Sequence, residues 1–260
     1  MLEFKHVFKT FNRNSDFELV LFQDLNFAIA KDEFVVIIGS NGSGKSTLFN
    51  LLGGQVSPES GKILFEGKDL NQKTHHSRAK EIGRVYQDPL MGTAPSLSIL
   101  ENLSLAKNQG QLLNFKKGKL NNERVYFKNL LKQLDMNLED KLDNKVSLLS
   151  GGQRQAISLL MALLKSPKLL LLDEHTAALD PKSSKKIIEI TNHLLAKHHT
   201  TTIMITHNIQ EALENGNRLL MFNQGEIILD VKNQAKAALK REDIISLFHK
   251  YNQNSFEIIN

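Results

Sequence analysis

Cysteine is absent from the sequence. Disulfide frameworks, thiolate zinc sites and cysteine nucleophiles are therefore excluded, and the absence fits a reducing compartment. No uncharged apolar run approaches the roughly 18 to 20 residues that a bilayer-spanning helix needs. Charged residues within positions 1–9 stand where a signal peptide would carry its apolar stretch. The expectation is a chain that is neither exported nor membrane-spanning. Repeated units and long low-complexity linkers are also lacking. The charge balance is only modestly one-sided, with 33 Lys and Arg against 28 Asp and Glu, a formal +5. Part of the excess is a cluster at Lys116, Lys117 and Lys119, which is not interleaved with aromatic residues that would stack on bases. It reads as a solvated loop, and no nucleic-acid partner is expected.

What is present is ordinary for a globular chain: 260 residues, 41% hydrophobic and 23% charged, enough to bury a substantial core. Segments 2–8, 17–22 and 26–29 have the alternating, aromatic-rich pattern of short strands. Then Phe34-Val35-Val36-Ile37-Ile38 forms a continuous apolar run, as in a strand buried on both faces, and leads through a glycine-rich turn into a helix-like segment at 45–52. Runs 168–172 and 201–205 repeat the buried-strand pattern on either side of a helical period at 183–197. This alternation predicts an α/β fold with a mostly parallel core sheet covered by helices. Between Gln87 and Leu149 buried strands vanish and leucine-type helical periodicity takes over, as in 122–134, which predicts an inserted helical subdomain. Segments 218–222 and 226–231 flank Asn223-Gln224-Gly225 as a hairpin, and 242–251 reads as a closing helix.

Gly39-Ser40-Asn41-Gly42-Ser43-Gly44-Lys45-Ser46-Thr47 satisfies the G-x-x-x-x-G-K-[ST] pattern. Glycines let successive N–H groups curl around a polyanion where a β-carbon would obstruct them, and the helix that follows points its positive dipole end at the same place. ATP is the expected ligand. Lys45 would meet the β- and γ-phosphates, and the Ser46 hydroxyl would ligate Mg2+. The run 168–172 ends in Asp173-Glu174, at the strand edge where ligands sit in open α/β sheets. Asp173 would hold magnesium, through water, and Glu174 would act as general base on the attacking water.

Leu149-Ser150-Gly151-Gly152-Gln153-Arg154-Gln155 resembles the signature of ABC ATPases, the feature that separates them from other phosphate-loop proteins. The chain is identified by it as a member of that family, and the resemblance covers residues 2 to about 231. It implies the ABC type of P-loop NTPase fold, with an antiparallel β subdomain and the phosphate-loop core at 1–87, the helical subdomain at 88–150, the rest of the core at 151–231 and a helical tail at 232–260. It further implies Gln87 as the glutamine that contacts magnesium or the attacking water, Ala178-Leu179-Asp180 as the D-loop, His207 as the switch histidine and Phe11 as the adenine-stacking aromatic. Two copies would face head to tail, each ATP lying between one copy's phosphate loop and Ser150, Gly151, Gly152 and Gln153 of the other.

Three residues depart from the common pattern: His175 where proline is usual, Ala177 where serine is common, and Asp32 where glycine is frequent. The stretches 83–96 and 173–180 resemble a narrower group, the ATPases of tryptophan/tyrosine-type bacterial ABC importers, in which His175 and Ala177 are normal. One uninterrupted domain without a fused membrane segment favours an importer ATPase over the alternative, a soluble ABC ATPase acting on ribosomes or nucleic acid. The resemblance implies a permease partner, a solute-binding protein served indirectly, and a peripheral place on the cytoplasmic face of the membrane. The segment 87–105, with its apolar-rich stretches Leu90-Met91-Gly92 and Ile99-Leu100, and the helical subdomain after it would form the docking surface for the permease. His75-His76 and His198-His199 lack the supporting ligand spacing of a metal site and are given no function.

Overall fold

The computed structural model describes residues 1–108 and 117–251. These form two compact units, one made of Met1–Ala79 together with the chain from Thr201 onward, the other of Lys80–Thr200. In chain order the elements are β1 (Leu2–Phe11), β2 (Leu19–Ile29), β3 (Phe34–Gly39), α1 (Lys45–Gly53), β4 (Ser60–Phe65), β5 (Lys68–Asp69), α2 (His75–Arg78), β6 (Ile82–Val85), α3 (Ile99–Lys107) and α4 (Lys117–Lys132). Then come α5 (Gly151–Leu163), β7 (Leu169–Asp173), α6 (Pro181–His198), β8 (Thr201–Ile205), α7 (Ile209–Glu214), β9 (Arg218–Asn223), β10 (Glu226–Lys232), α8 (Asn233–Ala237) and α9 (Arg241–Tyr251). Lys116 of the lysine cluster, and the tail beyond Tyr251, lie outside the described residues.

In the first unit an antiparallel sheet of order β2-β1-β4-β5 accompanies a row β10-β9-β3-β8. Strand β3 sits inside that row, parallel to both β8 and β9. Val35, Val36, Ile37 and Ile38 are accordingly at most 1% exposed, which explains why the run shows no alternation: neither face meets water. Segments 17–22 and 26–29, expected as separate strands, are one strand, β2. Its polar middle is retained because β1 bulges opposite it, with register shifts between Phe4 and Val7 and again near Lys9. At the bulge His6 adopts φ +50°, and its N–H donates to Asn26 Oδ1 at 2.8 Å. Asp32, at the turn into β3, takes φ +63°, a left-handed backbone that glycine adopts freely and aspartate tolerates.

In the second unit β6 pairs parallel with β7, and all of Leu169 to Leu172 are fully buried. Helix α3 packs on α4 and α5, with Leu103, Phe127 and Leu131 buried. The short strands β4 and β6 have too few apolar residues in a row to be picked out from sequence.

The β9–β10 hairpin turns through Gln224 (φ +45°) and Gly225 (φ +83°), both left-handed as a two-residue hairpin turn requires. Gly225 N–H donates to Ser43 O at 3.2 Å, so the turn buttresses the 39–47 loop. A β-carbon at Gly225 would stand 1.6 Å from the Leu21 carbonyl oxygen. Gly225→Ala is therefore expected to destabilise by more than the roughly 1–2 kcal/mol of left-handed strain alone. An unchanged urea midpoint would contradict this.

Candidate active site

In the first unit Thr206 N–H donates to Ile37 O at 3.2 Å where β3 and β8 run side by side. The 39–47 loop and His207 therefore leave the same sheet edge. The loop is shaped by its glycines. Gly44 has φ +104°, and a β-carbon there would lie 2.6 Å from the Phe22 ring. At Gly39 it would lie 2.3 Å from Phe222 O. Helix α1 starts at Lys45 with Gly44 as its cap, no side-chain cap bond and no acidic residue in its first turn. The positive dipole end of α1 thus faces no carboxylate from its own first turn. The Lys45 side chain is buried and folds back so that Nζ donates to Gly39 O and Ser40 O, each at 2.8 Å. Two carbonyls thereby solvate a charge that burial would otherwise make costly. Ser46 is exposed at the helix start, as are Asn41 and Gly42. Phe11 ends β1 opposite Leu19, half-buried, with Lys9 Nζ 4.8 Å from its ring centroid.

In the second unit parallel pairing sets Val85 against Leu172, so Gln87 and the Asp173-Glu174 pair emerge at one edge. Gln87 is exposed, whereas Asp173 and Glu174 are half-buried. Glu174 takes φ +45°, and its carbonyl accepts from Ala177 N–H at 3.0 Å, closing a tight turn after the strand. The turn ends at Asp180, whose carboxylate caps α6 by accepting from Ser183 N–H at 3.0 Å.

Ser150 caps α5 through a capping box with Gln153, each accepting a backbone N–H from the other at 3.3 Å. Both glycines that follow pack tightly against side chains inside the unit. A β-carbon on Gly151 would come within 3.2 Å of Leu179, and one on Gly152 within 3.2 Å of Ser183. Sequence reasoning missed two side chains here. Arg84 donates to Asp173 Oδ2 at 2.6 Å, and Gln155 Nε2 donates to Tyr86 O at 3.1 Å. Arg84 had no usable signal, because β6 has too few apolar residues in a row to be read as a strand.

His175 is fully buried, and burial pushes its imidazole down to about 4. Thr191 Oγ1 gives its hydrogen to Ile187 O at 2.8 Å, so it accepts from His175 at 3.2 Å, which puts the ring proton on Nε2. The folded protein keeps this ring neutral while the unfolded chain protonates below about pH 6.5. The stability it contributes is intact above pH 6.5 and is lost as pH falls towards 4, by about 3 kcal/mol at the lower end. His175→Gln, which retains a donor for Thr191, is expected to flatten this part of the pH–stability curve. Urea unfolding at pH 7 and pH 4.5 reads the difference.

The family described as ABC transporter matches residues 22–177. This chain belongs to that family. The tyrosine transport ATP-binding protein of Clostridioides difficile (strain R20291) is 45% identical to this ABC protein over 95% of the chain and 98% of its own length. The xylose/arabinose import ATP-binding protein XylG of Sulfolobus acidocaldarius is 32% identical over 95% and 94%. Among solved structures, the dimeric post-hydrolysis state of the ATP-binding cassette MJ0796, bound to ADP and Pi, superposes with a TM-score of 0.74 at 29% identity, over 89% of this chain and 98% of that one. The chain is an ATP-binding ABC ATPase, the energising subunit of an importer. Among the described residues no helix is long and apolar enough to cross a membrane.

Proposed function

We propose that this subunit drives uptake of an aromatic amino acid of the tyrosine type, working from the cytoplasmic face of the membrane beneath a separate permease. The observation that carries the solute class is the 45% identity to the tyrosine transport protein along nearly the whole chain. In this reading the N–H groups of residues 39–47 cradle the triphosphate, and Lys45 leaves the Gly39 and Ser40 carbonyls for the β- and γ-phosphates. Glu174 accepts the proton of the attacking water, and His207 steadies the γ-phosphate. Phe11 offers the ring face not taken by Lys9 to adenine. Ser150, Gly151, Gly152 and Gln153 serve the nucleotide held by a second copy.

The donor set suits magnesium. Ser46 offers a hydroxyl and Asp173 a carboxylate, both hard oxygen donors, with Gln87 as a further one. Sparse oxygen ligation completed by water and phosphate is what Mg2+ prefers. When bound, it neutralises charge developing on the phosphates; Ser46, Gln87 and Asp173 would hold it.

For docking, the exposed residues after Gln87 support a permease groove: Met91 is 70% exposed and Leu90 40%, although Ile99 and Leu100 are buried in α3 and carry packing instead. Met91→Glu is expected to leave ATP binding and the melting temperature unchanged while abolishing copurification with the permease from detergent-solubilised membranes. A variant that still copurifies and supports normal uptake removes the docking assignment. Normal labelled-tyrosine uptake in cells lacking the chain removes the solute class.

A further inference from the structure

Strand β6 carries one charged residue, Arg84, and its side chain is only 13% exposed. Across the parallel ladder Arg84 stands opposite Leu171, so Asp173, two residues on, lies diagonally adjacent on the same face. The guanidinium reaches that carboxylate at 2.6 Å, where Asp173 is itself 15% exposed. On its other side the guanidinium carbon lies 4.8 Å from the Tyr86 ring centroid, a cation–π contact that keeps the group in place. Tyr86 directly precedes Gln87, and its carbonyl is held by the buried Gln155 of α5. One arginine thus links the carboxylate at the end of β7 to the residue beside Gln87.

A carboxylate this sheltered attracts any nearby cation strongly, and two cations brought to one carboxylate repel each other. We propose that Arg84 is the resident counter-ion of Asp173 and competes with magnesium for it, so that Arg84 sets how much magnesium the ATPase needs. The inference rests on the reading of Asp173 as a magnesium residue. Arg84 is a positioning residue in this role, since it acts through Asp173. When magnesium arrives with nucleotide, the guanidinium shifts its hold from Asp173 towards the Tyr86 ring. Binding of the metal is thereby felt at Gln87. A competitor that occupies Asp173 for nine-tenths of the time weakens apparent metal binding about tenfold.

The test is the dissociation constant of a fluorescent, non-hydrolysable ATP analogue, measured in EDTA and across a magnesium titration. Arg84→Met is expected to leave the metal-free constant unchanged and to lower the magnesium midpoint about tenfold. Its melting temperature without ligand should fall, because a sheltered carboxylate loses its partner, and should rise more than that of the unmodified protein on adding magnesium and analogue. Should Arg84→Met fail to fold, Arg84→Lys carries the test. Its ammonium is a compact, more strongly hydrated charge that cannot stack over Tyr86, so the midpoint should fall by about two- to threefold. A midpoint that is unchanged or raised in the variants, or a weakened metal-free constant, overturns the proposal. Asp173→Asn separates the two readings. If it leaves the magnesium midpoint untouched, the magnesium role of Asp173 falls and the Arg84 proposal with it. If it raises the midpoint while the Arg84 variants do not lower it, only the Arg84 proposal falls.

Discussion

Glu174→Gln is expected to bind ATP with unchanged affinity and to hydrolyse it about 10² to 10⁴ times more slowly, the range that a positioned general base contributes. Glutamine has the shape of glutamate, so the left-handed turn at φ +45° and the Ala177 N–H bond to its carbonyl need not change. What disappears is the basic oxygen. Lys45→Ala should fail differently, losing ATP affinity together with turnover, because in the proposed site the ammonium that now rests on Gly39 O and Ser40 O would be a ground-state contact for phosphate. Equilibrium binding and phosphate release, measured on the same preparations, separate the two patterns. Turnover at the unmodified rate in Glu174→Gln would remove this residue from the base role.

The parts of the fold that were legible in the sequence are those where one physical cause dominates. Residues 34–38 and 168–172 read as buried strands because burial on both faces leaves runs such as 35–38 and 169–172 without polar positions. The glycines of the 39–47 loop are legible as a tight turn, since a β-carbon at Gly44 would meet the Phe22 ring and one at Gly39 the Phe222 carbonyl. Strand β2 reads as two because its polar middle is accommodated by bulges in β1, a property of the partner and not of the segment. The same kind of reason hides Arg84: a lone arginine in a strand gains meaning only when the parallel register sets Asp173 beside it. His175 read first as a departure from proline. Its burial against Thr191 shows a side chain accommodated by α6, which no pattern within residues 173–180 encodes.

The largest expected effect on assembly is at Ser150. In the head-to-tail dimer that we propose, Ser150 opens α5 towards the γ-phosphate of the other copy, so a bulky cation there should block ATP-driven dimerisation. Ser150→Arg is expected to keep Glu174→Gln protein monomeric in ATP, where the parent Glu174→Gln protein dimerises. The arginine also deletes a helix cap, at a cost of about 1 kcal/mol, so a loss of dimer in this variant alone does not separate repulsion from a frayed α5. Ser150→Asp removes that ambiguity. Aspartate is as good a cap as serine and can accept the Gln153 N–H that Ser150 Oγ now accepts at 3.3 Å, so the helix start survives. Its carboxylate would nevertheless face an anion across the interface, and like charges in a site emptied of water repel strongly. Both variants should therefore stay monomeric in sedimentation with ATP, while only Ser150→Arg loses thermal stability. Dimerisation of Ser150→Asp at the parent's ATP concentration would mean that α5 does not meet the nucleotide of a second copy.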